Sequence, residues 1–339
     1  MRRRSVLPAL RGARPTPLRP APEITTMKRE TPMRRLPVLT ALTAIAATLA
    51  LTACTDASSG SGSSPSDGGS SAAAFDPSTI AKDDAIAAML PADVVEAGTL
   101  TVGTNATYAP AEFIGDDGKS IVGYDVDLAK AIGAVLGLDV EVTNADFASI
   151  IPAIGSKYDI GVSGFTITPE RVAEVNMVSY FRAGEAFAVA KGNPKDVDPS
   201  DVCGLSIAVQ TGTVEDDALD GLMADCEAAG KADITPLRYA SQADVTTNLV
   251  GGKADVMYAD SQVVAYAVTQ TGGQIEQLGD IFADSLHGIA IAKDDTALAQ
   301  AVQAAVQKLM DDSDYTTILD TWGNTSGAVT TAELNPVVS

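Results

Sequence analysis

Apolar residues along most of the chain follow two alternating patterns. Short β-branched runs occur at Leu100 to Thr104, Val140 to Thr143, Tyr158 to Ser163, Ser206 to Val209 and Asp255 to Tyr258. Between them lie helix-length stretches. In the one beginning near Asp125, Val126, Ala129, Ile132 and Leu136 share one helical face, Asp127 and Lys130 are expected to face outward, and Gly137 closes the helix. Further helices are predicted from about Phe147, over Val214 to Ala228, over Ser261 to Thr271, over the Ala-rich run Leu298 to Met310, and around Tyr315 to Trp322. Strands alternating with helices in this way predict α/β architecture with parallel strands. Lys191-Gly192-Asn193-Pro194 breaks the pattern into two sets, and no internal sequence repeat relates them.

The amino-terminal region reads differently. Leu36 to Ala53 is almost wholly apolar and follows Met33-Arg34-Arg35, which predicts the basic and apolar regions of a secretory signal. Leu51-Thr52-Ala53-Cys54 resembles the bacterial lipobox, whose cysteine receives a diacylglycerol and becomes the new N-terminus. An uncleaved membrane anchor is the competing reading, since the run is just long enough to span a bilayer. Either way the chain is exported, to the outer face of the cytoplasmic membrane. Residues 1–53 are therefore assigned to a signal peptide whose Arg- and Pro-rich start is an extended n-region or an early start codon, with Met27 and Met33 as alternatives. Residues 54–78 form a lipidated tether, mostly Ser, Gly and Ala from Thr55 to Ala74, a composition that buries too little apolar surface to order itself.

About 260 residues remain, enough for a large core and two lobes. Of 23 basic and 44 acidic residues, 10 and 2 precede Cys54, so the mature chain carries a net charge of −29. Nucleic acid and anionic lipid are poor partners for it. Cys203 and Cys226 remain as an even pair in an oxidising compartment, where a disulfide is expected and two buried thiols are the alternative. Closing that loop stabilises a fold by about 3 kcal/mol in the chain-entropy treatment. His287 is the only histidine, so no metal site is expected, and nothing suggests a cofactor.

Several ordered segments carry a family resemblance: Gly103 to Pro110, Gly123 to Leu128 with Ile132 and Gly133, Asp146 to Ala153, Lys157 to Ile160, Ser163 to Arg171, Gln210 to Thr213 and Ala254 to Asp260. Together they resemble the family 3 extracellular solute-binding proteins, the polar amino-acid receptors of ABC importers, over nearly the whole stretch from Leu100 to Trp322. The resemblance implies a two-lobed type II periplasmic-binding-protein fold with two hinge crossings, near Phe181 to Phe187 and Ala283 to Gly288. It assigns residues 79–187 to the first part of lobe 1, 188–283 to lobe 2, and 284–339 to the return of lobe 1 and a tail.

An L-amino acid presents a carboxylate and an ammonium close together, so its site needs a cation with aligned N–H donors facing an acid. Arg171 suits the first role, because its planar fork grips a carboxylate through two bonds. Taken alone it would be a surface residue in a helix's first turn. The resemblance makes it the carboxylate ligand, helped by Thr166. Asp260, read alone, is a helix N-cap; the resemblance makes it the ammonium partner, with the Gly164 carbonyl and the Thr166 hydroxyl. Gly212, Thr213 and Val214 offer amides and a hydroxyl at a helix N-terminus, a natural seat for a carboxylate.

Asn105, Tyr108, Phe147, Phe165 and Gln210 are expected to line the cleft and select the side chain, although Phe147 and Phe165 read equally well as core. The pattern departs from the family at Ala111 and at His287-Gly288, where aromatics are usual. Asn105 and Gln210 are neutral, so glutamine or glutamate is expected ahead of basic or large apolar amino acids, with glutamine first. An ABC permease is the expected protein partner. Two alternatives stay open: a cleft enzyme dehydrating arogenate or prephenate, with Asp260 or Glu185 as its acid, and a sensory receptor.

Overall fold

The structure is a computed structural model and describes residues 75–338. The signal segment, Cys54 and nearly all of the tether lie outside those residues. In chain order the elements are α1 (Asp84–Ala87), α2 (Ala92–Ala97), β1 (Thr99–Thr104), β2 (Thr107–Tyr108), β3 (Glu112–Ile114), β4 (Ile121–Val122), α3 (Tyr124–Leu136), β5 (Asp139–Asn144), α4 (Phe147–Ala153), β6 (Ile160–Gly161), α5 (Pro169–Glu174) and β7 (Val175–Ala190). There follow β8 (Ser206–Gln210), α6 (Val214–Ala228), β9 (Thr235–Tyr239), α7 (Gln242–Val250), β10 (Val256–Asp260), α8 (Ser261–Gln270), β11 (Ile275–Ala292), α9 (Thr296–Asp311) and α10 (Asp314–Thr321).

One sheet of eight strands runs β5-β1-β6-β11-β7-β10-β8-β9, and β2, β3 and β4 form a small separate sheet. The parallel pairs β1–β5 and β1–β6 build one half, and the parallel pairs β10–β8 and β8–β9 the other. Between the halves runs the antiparallel ribbon of β7 and β11. β11 joins β6 near Ala290, whereas β7 joins β10 from Glu185 to Ala188. The ribbon's register slips between Leu278 and Phe282, between Phe282 and Ser285, and between His287 and Gly288. Bulges of this kind bend strands, and they fall where the hinge crossings are expected.

These two long strands carry no alternating pattern of their own. Nearly every position of β7 is buried on both faces, which removes the period-two signal. β6 is shorter than the expected Tyr158 to Ser163, but Asp159 N and Val162 N still donate to Thr101 and Gly103, so the strand direction continues.

Asp127 corrects the outward assignment. It is buried, accepts a 2.8 Å hydrogen bond from Trp322 Nε1, and its pKa is raised by burial. Only Lys130 and Ala134 of α3 stay out of the core, because α9 and α10 pack over the face that would otherwise meet water. Gly137 closes α3 in the left-handed region at φ 72°, as expected.

Cys203 and Cys226 are joined by a disulfide that ties the segment before β8 to α6. Cys226 belongs to a core of Phe187, Val189, Ile207, Val209, Leu219, Ile234, Val256 and Tyr258. Among the described residues no helix is long and apolar enough to cross a membrane.

Candidate functional site

The loops leaving β1, β6, β8 and β10 meet at the carboxyl ends of those strands, where open α/β sheets place ligands. Arg171 sits in the first turn of α5, where Thr168 accepts its backbone N–H and Pro169 pre-sets the helix entry. Arg171 Nη1 donates to Thr166 O at 2.8 Å, and Nη2 reaches across the cleft to Gly212 O at 3.1 Å. Its guanidinium lies 5.6 Å from the ring centre of Phe147 and 5.8 Å from that of Phe165. Desolvation lowers its pKa, opposed by Glu215, Asp217 and Asp260.

Asp260 ends β10 and opens α8, yet its side chain makes no capping bond. The carboxylate turns into the cleft, where Oδ2 accepts from Tyr108 OH at 2.7 Å and lies 3.3 Å from His287 Nε2. Burial, followed by the charge of Asp260, pushes the Tyr108 hydroxyl well up.

Tyr108, Phe147, Gly164, Thr166, Arg171, Thr213, Val214 and Asp260 line one small cavity together with Glu215. The cavity measures about 10 Å³, room for a single water, so the lobes are closed on one another.

Asn105, Phe165 and Gln210 are absent from the lining. Phe165 is buried and stacked on Phe147 at 4.8 Å, which makes it a support for the pocket wall. Asn105 and Gln210 bond to each other across the cleft, Gln210 Nε2 donating to Asn105 Oδ1 at 2.9 Å. Their remaining donors go to Ala145 O and Ala240 O. One of these bonds crosses the cleft, while Gln210 Oε1 is buried with no hydrogen-bond partner in the protein.

Glu215 is the lining residue that sequence reasoning missed. It is buried at the second position of α6, and its Oε1 has no hydrogen-bond partner in the protein. Burial, then Asp260 and Glu185, push its pKa well up. In sequence it is one of three consecutive acids at a helix start and reads as an exposed dipole partner. Its inward turn shows only where the start of α6 meets Tyr108, Arg171 and Asp260 at the cavity. Glu185, expected near the cleft, is hydrogen-bonded by Tyr258 OH, and burial raises its pKa.

A second pair of acids supports the loops from below. Glu112 Oε1 accepts from Ser163 Oγ at 2.7 Å, and that hydroxyl accepts from Asn105 N. Asp125 Oδ2 accepts from Gly164 N at 2.9 Å and Tyr180 OH at 2.7 Å. Burial and the neighbouring Asp125 push Glu112 well up, and burial raises Asp125. A carboxyl raised in the folded state keeps its proton after the unfolded chain has released one, so stability is greatest below the ordinary glutamate range and falls as pH rises through the folded value. Glu112→Gln is expected to flatten that fall and to melt above the wild type at pH 8. Unfolding midpoints across the acid-to-neutral range check this, and an unchanged slope rejects it.

A two-lobed α/β fold with a cavity at the carboxyl ends of its strands is that of the solute-binding proteins. Residues 100–325 match the bacterial extracellular solute-binding proteins, family 3, and the chain belongs to that family. Arginine-binding protein ArgT of Corynebacterium glutamicum is 37% identical over 252 residues, covering 74% of this chain and 82% of the relative. An ancestral arginine-binding protein solved bound to arginine superposes with a TM-score of 0.61 at 33% identity, covering 66% of this chain and 98% of the other. An ancestral arginine-binding protein solved bound to glutamine gives 0.61 and 33%, covering 67% and 98%. The family and these relatives support a role in amino-acid import.

Proposed function

We propose that this chain delivers arginine, or a cationic L-amino acid like it, to an ABC permease. Glu215 carries the reading. It lines the cavity with Oε1 unpartnered, and burial, then Asp260 and Glu185, push its pKa well up, so a cationic ligand group supplies the charge partner that the protein withholds and a neutral amide does not. The names of the relatives point the same way. The preference for glutamine or glutamate is set aside here, because it rested on Asn105 and Gln210 reaching the ligand, and both bond across the cleft instead.

In this reading the ligand carboxylate pairs with Arg171 on lobe 1, assisted by Thr166 and by the amides of Thr213 and Val214 on lobe 2. Its ammonium pairs with Asp260, its methylenes lie between Tyr108 and Phe147, and its guanidinium meets Glu215. Lobe 1 comprises 79–187 and 284–339, lobe 2 comprises 188–283, and the ribbon of β7 and β11 bends between them. Ligand contacts on both sides favour the closed form that a permease would recognise.

A thermal-shift panel of the twenty amino acids tests the choice. A ligand at 100 times its dissociation constant stabilises the protein by about 2.7 kcal/mol, so arginine should raise the melting temperature most. Stabilisation by glutamine or glutamate with none by arginine would sink the proposal. The same reading keeps the protein at the membrane through lipid on Cys54, and Cys54→Ala should release it into the soluble fraction with ligand binding intact. A variant that stays membrane-bound shows an uncleaved anchor.

A further inference from the structure

Beside α8 lies a second cavity, of about 620 Å³, which is within the range of small-molecule sites and shares no lining residue with the cavity at Arg171 and Asp260. Three aromatic rings from separate elements wall it: Phe113 on β3, Tyr266 on α8 and Trp322 at the end of α10. Each is half-buried. Phe113 is held between the neighbouring strands, opposite Thr107 of β2 and Val122 of β4. Trp322 meets it edge to face, at 5.7 Å and 86°, and Tyr266 lies 5.7 Å from it at 50°. Phe113 thus makes a corner with each of the other two rings, as the walls of a box do, and stacks on neither.

One wall is fixed before anything enters. The Trp322 indole N–H donates to Asp127 Oδ2 at 2.8 Å, which sets the plane of that ring. Asp127 also lines the cavity, and its Oδ1 lies 3.9 Å from Lys130 Nζ, beyond hydrogen-bond range. Asp116 is exposed on the connection between β3 and β4, where burial first and then its charge raise the pKa of the Tyr266 hydroxyl. The lining therefore sets two carboxyls against the single ammonium of Lys130.

An aromatic face carries negative potential and attracts a cation, most strongly where both are desolvated. A quaternary ammonium suits such walls, because it has no N–H to satisfy and presents methyl groups on every side. An anion meets the acids, and a neutral body of the same shape forgoes the charge. We propose that this cavity is a second ligand site, separate from the amino-acid cleft, for a compact organic monocation of the quaternary-ammonium type. Phe113, Tyr266 and Trp322 hold the cation by cation–π contact, and Asp116 and Asp127 supply the opposite charge.

Choline titrated into the tag-free mature protein at constant ionic strength tests this, beside its neutral isostere, in which a tert-butyl group replaces the trimethylammonium. Trp322 is the only tryptophan of the chain, so its emission reports on the cavity directly. Choline should change that emission saturably, and the isostere should bind about tenfold more weakly. Tyr266→Ala should weaken choline by about threefold to thirtyfold, the loss of one ring from a cation site, while Tyr266→Phe keeps the ring and the affinity. Asp260→Asn, in the other cavity, should bind choline as the wild type does. No saturable change up to tens of millimolar overturns the inference, and so does equal binding of choline and the isostere, a comparison that stands even if Tyr266→Ala fails to fold. Weakening by Asp260→Asn with none by Tyr266→Ala places choline in the amino-acid cleft and overturns it too. None of these outcomes depends on which amino acid the cleft takes.

Discussion

Arg171→Ala is expected to weaken amino-acid binding by about 2 to 5 kcal/mol, the scale of truncating one member of a desolvated charged pair, or about 30-fold to several thousandfold in affinity. The loss should fall on every amino acid alike, because the ligand carboxylate is common to all of them. The fold should survive. α5 keeps its Thr168 cap and its Pro169 start, and the bonds lost to Thr166 O and Gly212 O join loops, one of them across a cleft that must open anyway. Calorimetry with arginine, beside an unfolding curve of the free protein, checks both halves. Wild-type affinity in the variant would place the carboxylate elsewhere.

Glu215→Gln should act on one class of ligand only. Arginine is expected to lose about 2 to 5 kcal/mol of binding, since a guanidinium then faces an amide in a desolvated site, while glutamine should change by no more than about 0.5 kcal/mol. The free variant should melt no lower than the wild type at neutral pH. Glu215 is raised in the folded state by burial, Asp260 and Glu185, so it withdraws stability as pH rises above the ordinary glutamate range, and an amide removes that loss. Equal weakening of arginine and glutamine would show that Glu215 shapes the pocket without reading the ligand charge.

These two residues differ in how far the sequence exposes them. Arg171 follows a loop of small hydroxyl residues within a long motif, and its role is set by segments adjacent in the chain, Thr166 to Arg171. Glu215 sits in a run of three acids, where local pattern cannot tell an inward carboxyl from a solvated one. Asn105 and Gln210 misled for the same reason. Each has the right chemistry for an amide ligand, and only their 2.9 Å bond across the cleft, joining positions 105 residues apart, shows that the Gln210 donors and the Asn105 acceptor are engaged within the protein.

By itself the sequence determined the α/β rhythm, the boundaries of α3 and α6 and the cysteine pair, and it singled out Arg171 and Asp260, which line one cavity. These depend on short-range periodicity, on caps such as Gly137 and Thr213, and on motifs contiguous in the chain. Tertiary structure alone decided that β7 and β11 form one ribbon through both halves, that Asp127 turns inward to Trp322, that Glu215 lines one cavity with Asp260, and that His287 lies 3.3 Å from the Asp260 carboxylate. The physical reason is that burial on both faces erases periodicity along β7, and a carboxyl's charge state and partners are set by whichever distant element is packed against it.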